Sequence, residues 1–126
     1  MKLLGLGIDV TSIERIARVR SRRDIIREVC AETESILFPL SDVAAARLWA
    51  GKEAVVKTLG TGFWQKGVDW TDIRFDRRWR VSLHGRAGQY AEGSRIELDF
   101  EEHGDLVIAL SRRWAEITDP EGNETH

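Results

Sequence analysis

Residues 3–8, Leu3-Leu4-Gly5-Leu6-Gly7-Ile8, form an apolar run closed by Asp9, too short for a helix and best read as a buried strand. The spacing then changes. Thr11 or Ser12 offers an N-cap, Glu14 sits at capping-box distance from Thr11, and Ile13, Ile16, Ala17 and Arg20 recur on successive helical turns. A second helical stretch holds Ile25, Ile26 and Val29. Phe38-Pro39-Leu40 interrupts the pattern, because proline restrains itself and the residue before it. Ser41 or Asp42 then caps the longest helix, which should run to about Leu59 and stop at Gly60. From Asp72 the period becomes two: Ile73 and Phe75, then Trp79, Val81 and Leu83, then Ile96, Leu98 and Phe100, with a short helix from Arg86 to Ala91 between them. Leu106 to Leu110 is continuous apolar sequence and reads as a buried strand. The end of the chain has no periodicity, so residues 116–126 are expected to form a flexible tail behind one domain over 1–115.

A strand, several helices and then ββαββ define an α+β fold, with a largely antiparallel sheet packed on the long helix. The opposite face of that sheet is expected to be polar or available to a partner. At 126 residues the chain suits one domain able to bury roughly two-thirds of its unfolded surface. Nineteen basic against 21 acidic residues leave a net charge of -2, which removes bulk electrostatics as an argument for a nucleic-acid or membrane partner. The lone Cys30 excludes an internal disulfide framework and a thiolate zinc site. No apolar stretch approaches the ~20 residues of a membrane span, and the N-terminus has no signal-peptide pattern, so a soluble cytoplasmic protein is expected. One local asymmetry stands out: between Glu14 and Glu28 there are six arginines against three acids. Without interleaved aromatics, this cluster does not read as a nucleic-acid surface.

Nucleophile elbows, Walker A loops and dinucleotide fingerprints are missing. Three other features could carry chemistry. Asp9, directly after a strand and at a helix entrance, could ligate a hard cation or simply cap the helix. Glu53 and Lys57 share one helix face at i, i+4 spacing. They form either a surface ion pair or, beside Ala46, Trp49 and Ala50, a charge pair on a covered face that needs partners. Gly60-Thr61-Gly62 is a helix C-cap or a stretch of backbone N–H groups open to a phosphate.

Together these features resemble the holo-acyl-carrier-protein synthase family, which are small 4'-phosphopantetheinyl transferases. GLGIDVTSIER, from Gly5 to Arg15, is similar to that family's N-terminal motif. WAGKEAVVKTLGTG, from Trp49 to Gly62, is similar to its second motif, and Asp72-Ile73 with the alternating strands matches its middle region. The resemblance covers roughly residues 3 to 110. It implies transfer of phosphopantetheine from coenzyme A to a serine of an acyl carrier protein, with magnesium, in fatty acid or polyketide biosynthesis. It implies Asp9 and Glu53 as metal ligands, Glu53 also as the base, and Lys57 on the pyrophosphate. It implies Gly60, Thr61, Gly62 and His103 beside coenzyme A. Arg15, Arg18, Arg22 and Arg23 would dock the carrier protein, and the assembly would be a homotrimer.

Three departures accompany the resemblance. Leu98-Asp99-Phe100-Glu101-Glu102-His103 stands where the family has a Ser/His strand, within a run of five acids (Glu97, Asp99, Glu101, Glu102, Asp105). Leu48-Trp49-Ala50-Gly51 replaces Arg-Phe-Ala-Ala, and Arg77-Arg78-Trp79 replaces a Gly-Lys-Pro turn. Acids facing the cleft would repel a polyanion. Strand alternation would turn Glu97, Asp99 and Glu101 outward, and a one-residue slip would bring His103 to the cleft. Two readings follow: an active transferase, or a catalytically lapsed or repurposed scaffold of the same architecture that binds a carrier protein or assembly-line partner without using coenzyme A.

Overall fold

The computed structural model describes residues 2–60, 67–118 and 124–125. Strand β1 (Leu3–Ser12) leads into α1 (Ile13–Arg22), the short α2 (Ile25–Glu28) and a 3-10 turn over Glu32–Leu37. The long α3 (Asp42–Thr58) follows, capped by Ser41 Oγ, which accepts from the Ala44 N–H at 3.1 Å. After a second 3-10 turn at Trp70–Asp72 come β2 (Ile73–Phe75), β3 (Val81–Leu83), α4 (Gly85–Tyr90), β4 (Ser94–His103) and β5 (Leu106–Ala115).

Every strand pair among the described residues is antiparallel, as expected, but the strands divide into separate sheets. The main sheet has the order β1-β5-β4, with α3 packed on one face, while β2 and β3 form a hairpin of their own. Ile117–Thr118 pairs with Glu124–Thr125 in a short ladder, inside the segment expected to be a flexible tail. The core lies between the sheet and α3: Ala45, Ala46, Leu48, Ala50 and Ala54 meet Val107 and Ala109. Small residues on α3 let the helix lie close to the sheet. Gly51 is one of them; a Cβ there would stand 2.6 Å from the Phe75 ring and 2.9 Å from the Phe100 ring.

β1 departs from the expected buried strand. Leu6, Ile8 and Val10 are 58%, 54% and 54% exposed. The inward positions of the pleat are instead Gly5, Gly7, Asp9 and Thr11. The Leu106–Leu110 run is likewise buried on one face only, through Val107 and Ala109. β1 is an edge strand, and its apolar stripe, continuous with the outer face of β5, is covered by no other element among the described residues.

A buried ion pair ties the peripheral segments to α3. Lys52 and Glu34 are each 0% exposed, with Nζ 2.7 Å from Oε1. The ammonium also donates to Val29 O at 2.8 Å and Trp70 O at 3.0 Å. The carboxylate accepts the Ala31 N–H at 3.0 Å through Oε1 and the Phe75 N–H at 3.0 Å through Oε2. Each charge is therefore surrounded by its own hydrogen-bond partners, the condition under which burial is tolerable. One lysine on α3 thus holds the α2 exit, the first 3-10 turn and the entry to β2. Lys52→Met is expected to lower the unfolding free energy by about 3–5 kcal/mol, because Glu34 would be left buried and uncompensated. The shift in urea midpoint measures this; a loss within the roughly 0–1 kcal/mol of surface pairs would show that the pair does not have this role.

Candidate active site

The site starts from two absent side chains. A Cβ on Gly7 would lie 2.1 Å from Ala54 O, and one on Gly5 would lie 2.2 Å from Thr58 O. Nothing larger than glycine fits where β1 crosses α3. The next inward position along the strand is Asp9, so the same close approach sets that carboxylate beside the Glu53–Lys57 stretch of the helix.

Asp9 is held at both oxygens. Thr11 Oγ1 donates to Oδ2 at 2.7 Å, and Lys57 Nζ lies 3.3 Å from Oδ1 while donating to Ile8 O at 2.9 Å. Lys57 therefore pairs with Asp9 across the strand–helix contact, and not with Glu53 one turn away as the i, i+4 spacing suggests. It remains 51% exposed, and with two of its three N–H donors used, one is left for a ligand. Glu53 is half-buried, and among the described residues its carboxylate accepts no hydrogen bond. Burial raises its pKa above the ordinary 4.5, the negative charge of Asp9 raises it further, and Lys57 partly opposes both.

The two carboxylates open into a cleft of about 610 Å³ lined also by Thr11, Ser12, Arg15, Ile16, Trp49 and Leu106. Trp49 forms a wall braced by a stacked Trp70, with ring centroids 5.1 Å apart. A shallower groove of about 430 Å³ adjoins it along α1, lined by Arg15, Arg18, Arg22 and Arg23 around Val19 and Ile25. Arg15 borders both. Arg23 is paired with Glu28 at 2.8 Å, whereas Arg15, Arg18 and Arg22 make no ion pair among the described residues. Arg20 serves the fold instead, binding Asp42 and Leu40 O, each at 3.1 Å, to pin α1 against the start of α3.

The acidic run is accounted for residue by residue. β4 pairs with β5 without a register shift, so Glu97, Asp99 and Glu101 lie on the outer face, away from α3. Arg112 of β5 takes both Glu97 and Asp99. Glu101 bonds His103 Nε2 at 3.1 Å. Glu102 turns inward to Arg47 at 2.6 Å, and Asp105 binds the start of α1. His103 is not delivered to the cleft within the chain: the slip that would bring it there is absent, and its side chain is exposed. Gly60 has φ +68° with open space around it, and its N–H bonds Lys57 O at 3.1 Å, which is a helix-ending turn. Thr61 and Gly62 lie outside the described residues.

Sequence reasoning missed Thr11 as the partner of Asp9, Trp49 as a wall, and Leu106 at the rim. Period-two counting from Asp9 would have found Thr11. Among the described residues no group of three or more His, Cys, Asp and Glu could enclose a metal. Two carboxylates that repel each other in a half-buried cleft, one of them without a hydrogen-bond donor, fit a hard divalent cation such as magnesium. Such an ion takes one or two protein carboxylates and completes its shell with water and phosphate oxygens.

Fold and site together place two acids and a lysine at one end of an arginine-lined groove in a small α+β domain. The chain belongs to the 4'-phosphopantetheinyl transferase superfamily, whose model matches residues 5–111, and within it to the holo-acyl-carrier-protein synthase type. It is 32% identical over 127 residues to a holo-[acyl-carrier-protein] synthase from Photobacterium profundum, covering 94% of this chain and 96% of the relative. The crystal structure of holo-[acyl-carrier-protein] synthase from Neisseria meningitidis superimposes with a TM-score of 0.74 at 25% identity, over 90% of this chain and 99% of that one. The Helicobacter pylori synthase in complex with coenzyme A has a TM-score of 0.70 at 21% identity, over 84% of this chain and 96% of that one.

Because the folded chain holds the Glu53 proton more tightly than the unfolded chain does, ionising it costs stability as pH rises above 4.5. Glu53→Gln is therefore expected to melt at a higher temperature than the parent at pH 7. The gap should close as pH falls through 4.5. Equal melting temperatures at pH 7 would show that the carboxylate is not strained.

Proposed function

We propose that this protein transfers 4'-phosphopantetheine from coenzyme A to a serine of an acyl carrier protein, with magnesium, in the cytoplasm. The activity would reside in one domain over residues 1–115. The observation that carries the reading is the meeting of Asp9 and Glu53, from separate elements, in one cleft beside Lys57. The relatives' names and the coenzyme A complex of the Helicobacter pylori protein support the substrates.

Asp9 and Glu53 would hold the magnesium ion, which when bound supplies charge neutralisation to the diphosphate. The remaining work falls to side chains. Lys57, fixed by Ile8 O and Asp9, directs its free N–H at the pyrophosphate, where charge grows as the bond breaks. The serine hydroxyl attacks the phosphorus that carries the pantetheine arm, the P–O bond to the other phosphorus breaks, and 3',5'-ADP leaves with the electron pair. Glu53, whose carboxylate accepts no hydrogen bond among the described residues, takes the serine proton. Trp49 and its Trp70 brace keep the wall of the cleft in place and limit water.

Arg15, Arg18 and Arg22, which make no ion pair among the described residues, put positive charge along a groove that runs into the cleft, suited to an acidic helix of the carrier protein. Gly60, Thr61 and Gly62 are assigned to the nucleotide side of coenzyme A from the family motif, whereas His103 has no support from geometry. The outer-face stripe of Leu6, Ile8 and Val10, with Leu106, is an uncovered apolar surface that supports a homotrimer. The acids that favoured a scaffold without coenzyme A are turned away from the cleft or paired.

Incubation with coenzyme A, magnesium and an apo carrier protein should add the phosphopantetheine mass to the carrier, and chelation should stop it. Glu53→Gln is expected to slow transfer by about 10²–10⁴-fold, the range for removing a general base, with the fold intact. No mass gain with several carriers, and no coenzyme A binding, would leave only the scaffold. For the assembly, Ile8→Glu should convert the sedimenting species from trimer to monomer; a parent that sediments as a monomer removes the trimer from the reading.

A further inference from the structure

The start of α1 is built by a residue more than ninety positions away in the chain. The first turn of any helix has backbone N–H groups without intrahelical acceptors. In α1 the Ile13 N–H donates to the Asp105 carbonyl at 2.8 Å, and the Glu14 N–H donates to Asp105 Oδ1 at 2.9 Å. The Arg15 N–H donates to Ser12 Oγ at 3.1 Å. The Ser12 hydroxyl in turn donates to Asp105 Oδ2 at 2.5 Å, which points its lone pairs toward the helix. Asp105 thus satisfies two of these donors directly and orients the acceptor of a third.

Asp105 sits in the turn between β4 and β5, and β5 pairs with β1, so the turn is rigidly placed relative to Asp9. Its charge also lies at the positive end of the α1 dipole and within the field of Arg18. The hydrogen bonds from Ser12 and Glu14 keep its carboxyl below the ordinary 3.8, so it is ionised across the working range of pH. Without its carboxylate, the entrance of a helix that carries four arginines in ten residues would keep, among the described residues, only the Ile13 bond to the backbone carbonyl of position 105 and a Ser12 cap whose hydroxyl is no longer oriented.

We infer that Asp105 is a positioning residue for the carrier protein: by clamping the first turn of α1 to the β4–β5 hairpin, it sets the distance between Asp9 and the arginine groove. Arg15 is where this matters, because it belongs to both the cleft and the groove and its own backbone depends on the clamp. The inference rests on the proposed transfer reading for the identity of the docking partner; the clamp itself does not.

The test compares Asp105→Ala and Asp105→Asn with the parent. In Asp105→Ala, amide exchange at Glu14 and Arg15 should accelerate at least tenfold, with α3 amides unchanged. In the transfer assay the same variant should raise KM for the carrier protein at least fivefold, with kcat and KM for coenzyme A within twofold of the parent. Asp105→Asn, which keeps one acceptor for Glu14, should recover most of that loss. Unchanged exchange, or both KM values rising together, would overturn the inference. A parent that transfers nothing would defeat the functional reading and leave the exchange result to judge the clamp.

Discussion

The distance between one strand and one helix governs this molecule. Gly5 and Gly7 let the backbone of β1 rest on Ala54 and Thr58 of α3, closer than any side chain allows. Everything at the site follows from that contact. Asp9 meets Lys57 because the strand lies low on the helix, and Glu53 feels the Asp9 charge for the same reason. A strand seated on ordinary side chains, with sheet and helix ~10 Å apart, would hold Asp9 away from Lys57 and Glu53. The Thr58 hydroxyl reinforces the seat, donating to Ala54 O on its own helix and lying 3.2 Å from Ser111 O on β5.

A second constraint works from the other side of α3. Lys52 precedes Glu53, so adjacent residues on one helix turn point in different directions: one into a sealed polar knot, the other into the cleft. The knot also holds Trp70 through its carbonyl, and Trp70 in turn braces Trp49. Stability and site geometry are therefore mechanically linked through a few residues. The pair itself contributes less through its net energy than through the segments it collects, because desolvation offsets much of the attraction.

How far this could be read in advance differs by element. The bounds of α3 were legible to within a residue or two, since the Ser41 cap and Gly60 stop are local signals. Asp9, Glu53 and Lys57 were legible through motifs, but their pairing was not: i, i+4 spacing links Lys57 to Glu53, and only the strand–helix approach shows that Asp9 wins. β1 misled because its glycines carry no hydropathy, so an alternating strand looks like a continuous apolar one. Glu34 gave no signal, being one of two acids in a short 3-10 turn, with its partner 18 residues on. The acidic run looked like repulsion because the eye sums charges along the chain. The pleat separates them, and Arg112 arrives from the neighbouring strand.

The pleat of β1 has an evolutionary corollary. Alternate residues of one short segment answer to unrelated demands, helix clearance and the Asp9–Lys57 contact on one side, an exposed apolar stripe on the other. Such a strand can vary as two interleaved sets: a side chain added at Gly5 or Gly7 collides with α3, while the outward set can exchange one aliphatic for another. Relatives that associate differently would then diverge at every second letter and share the letters between.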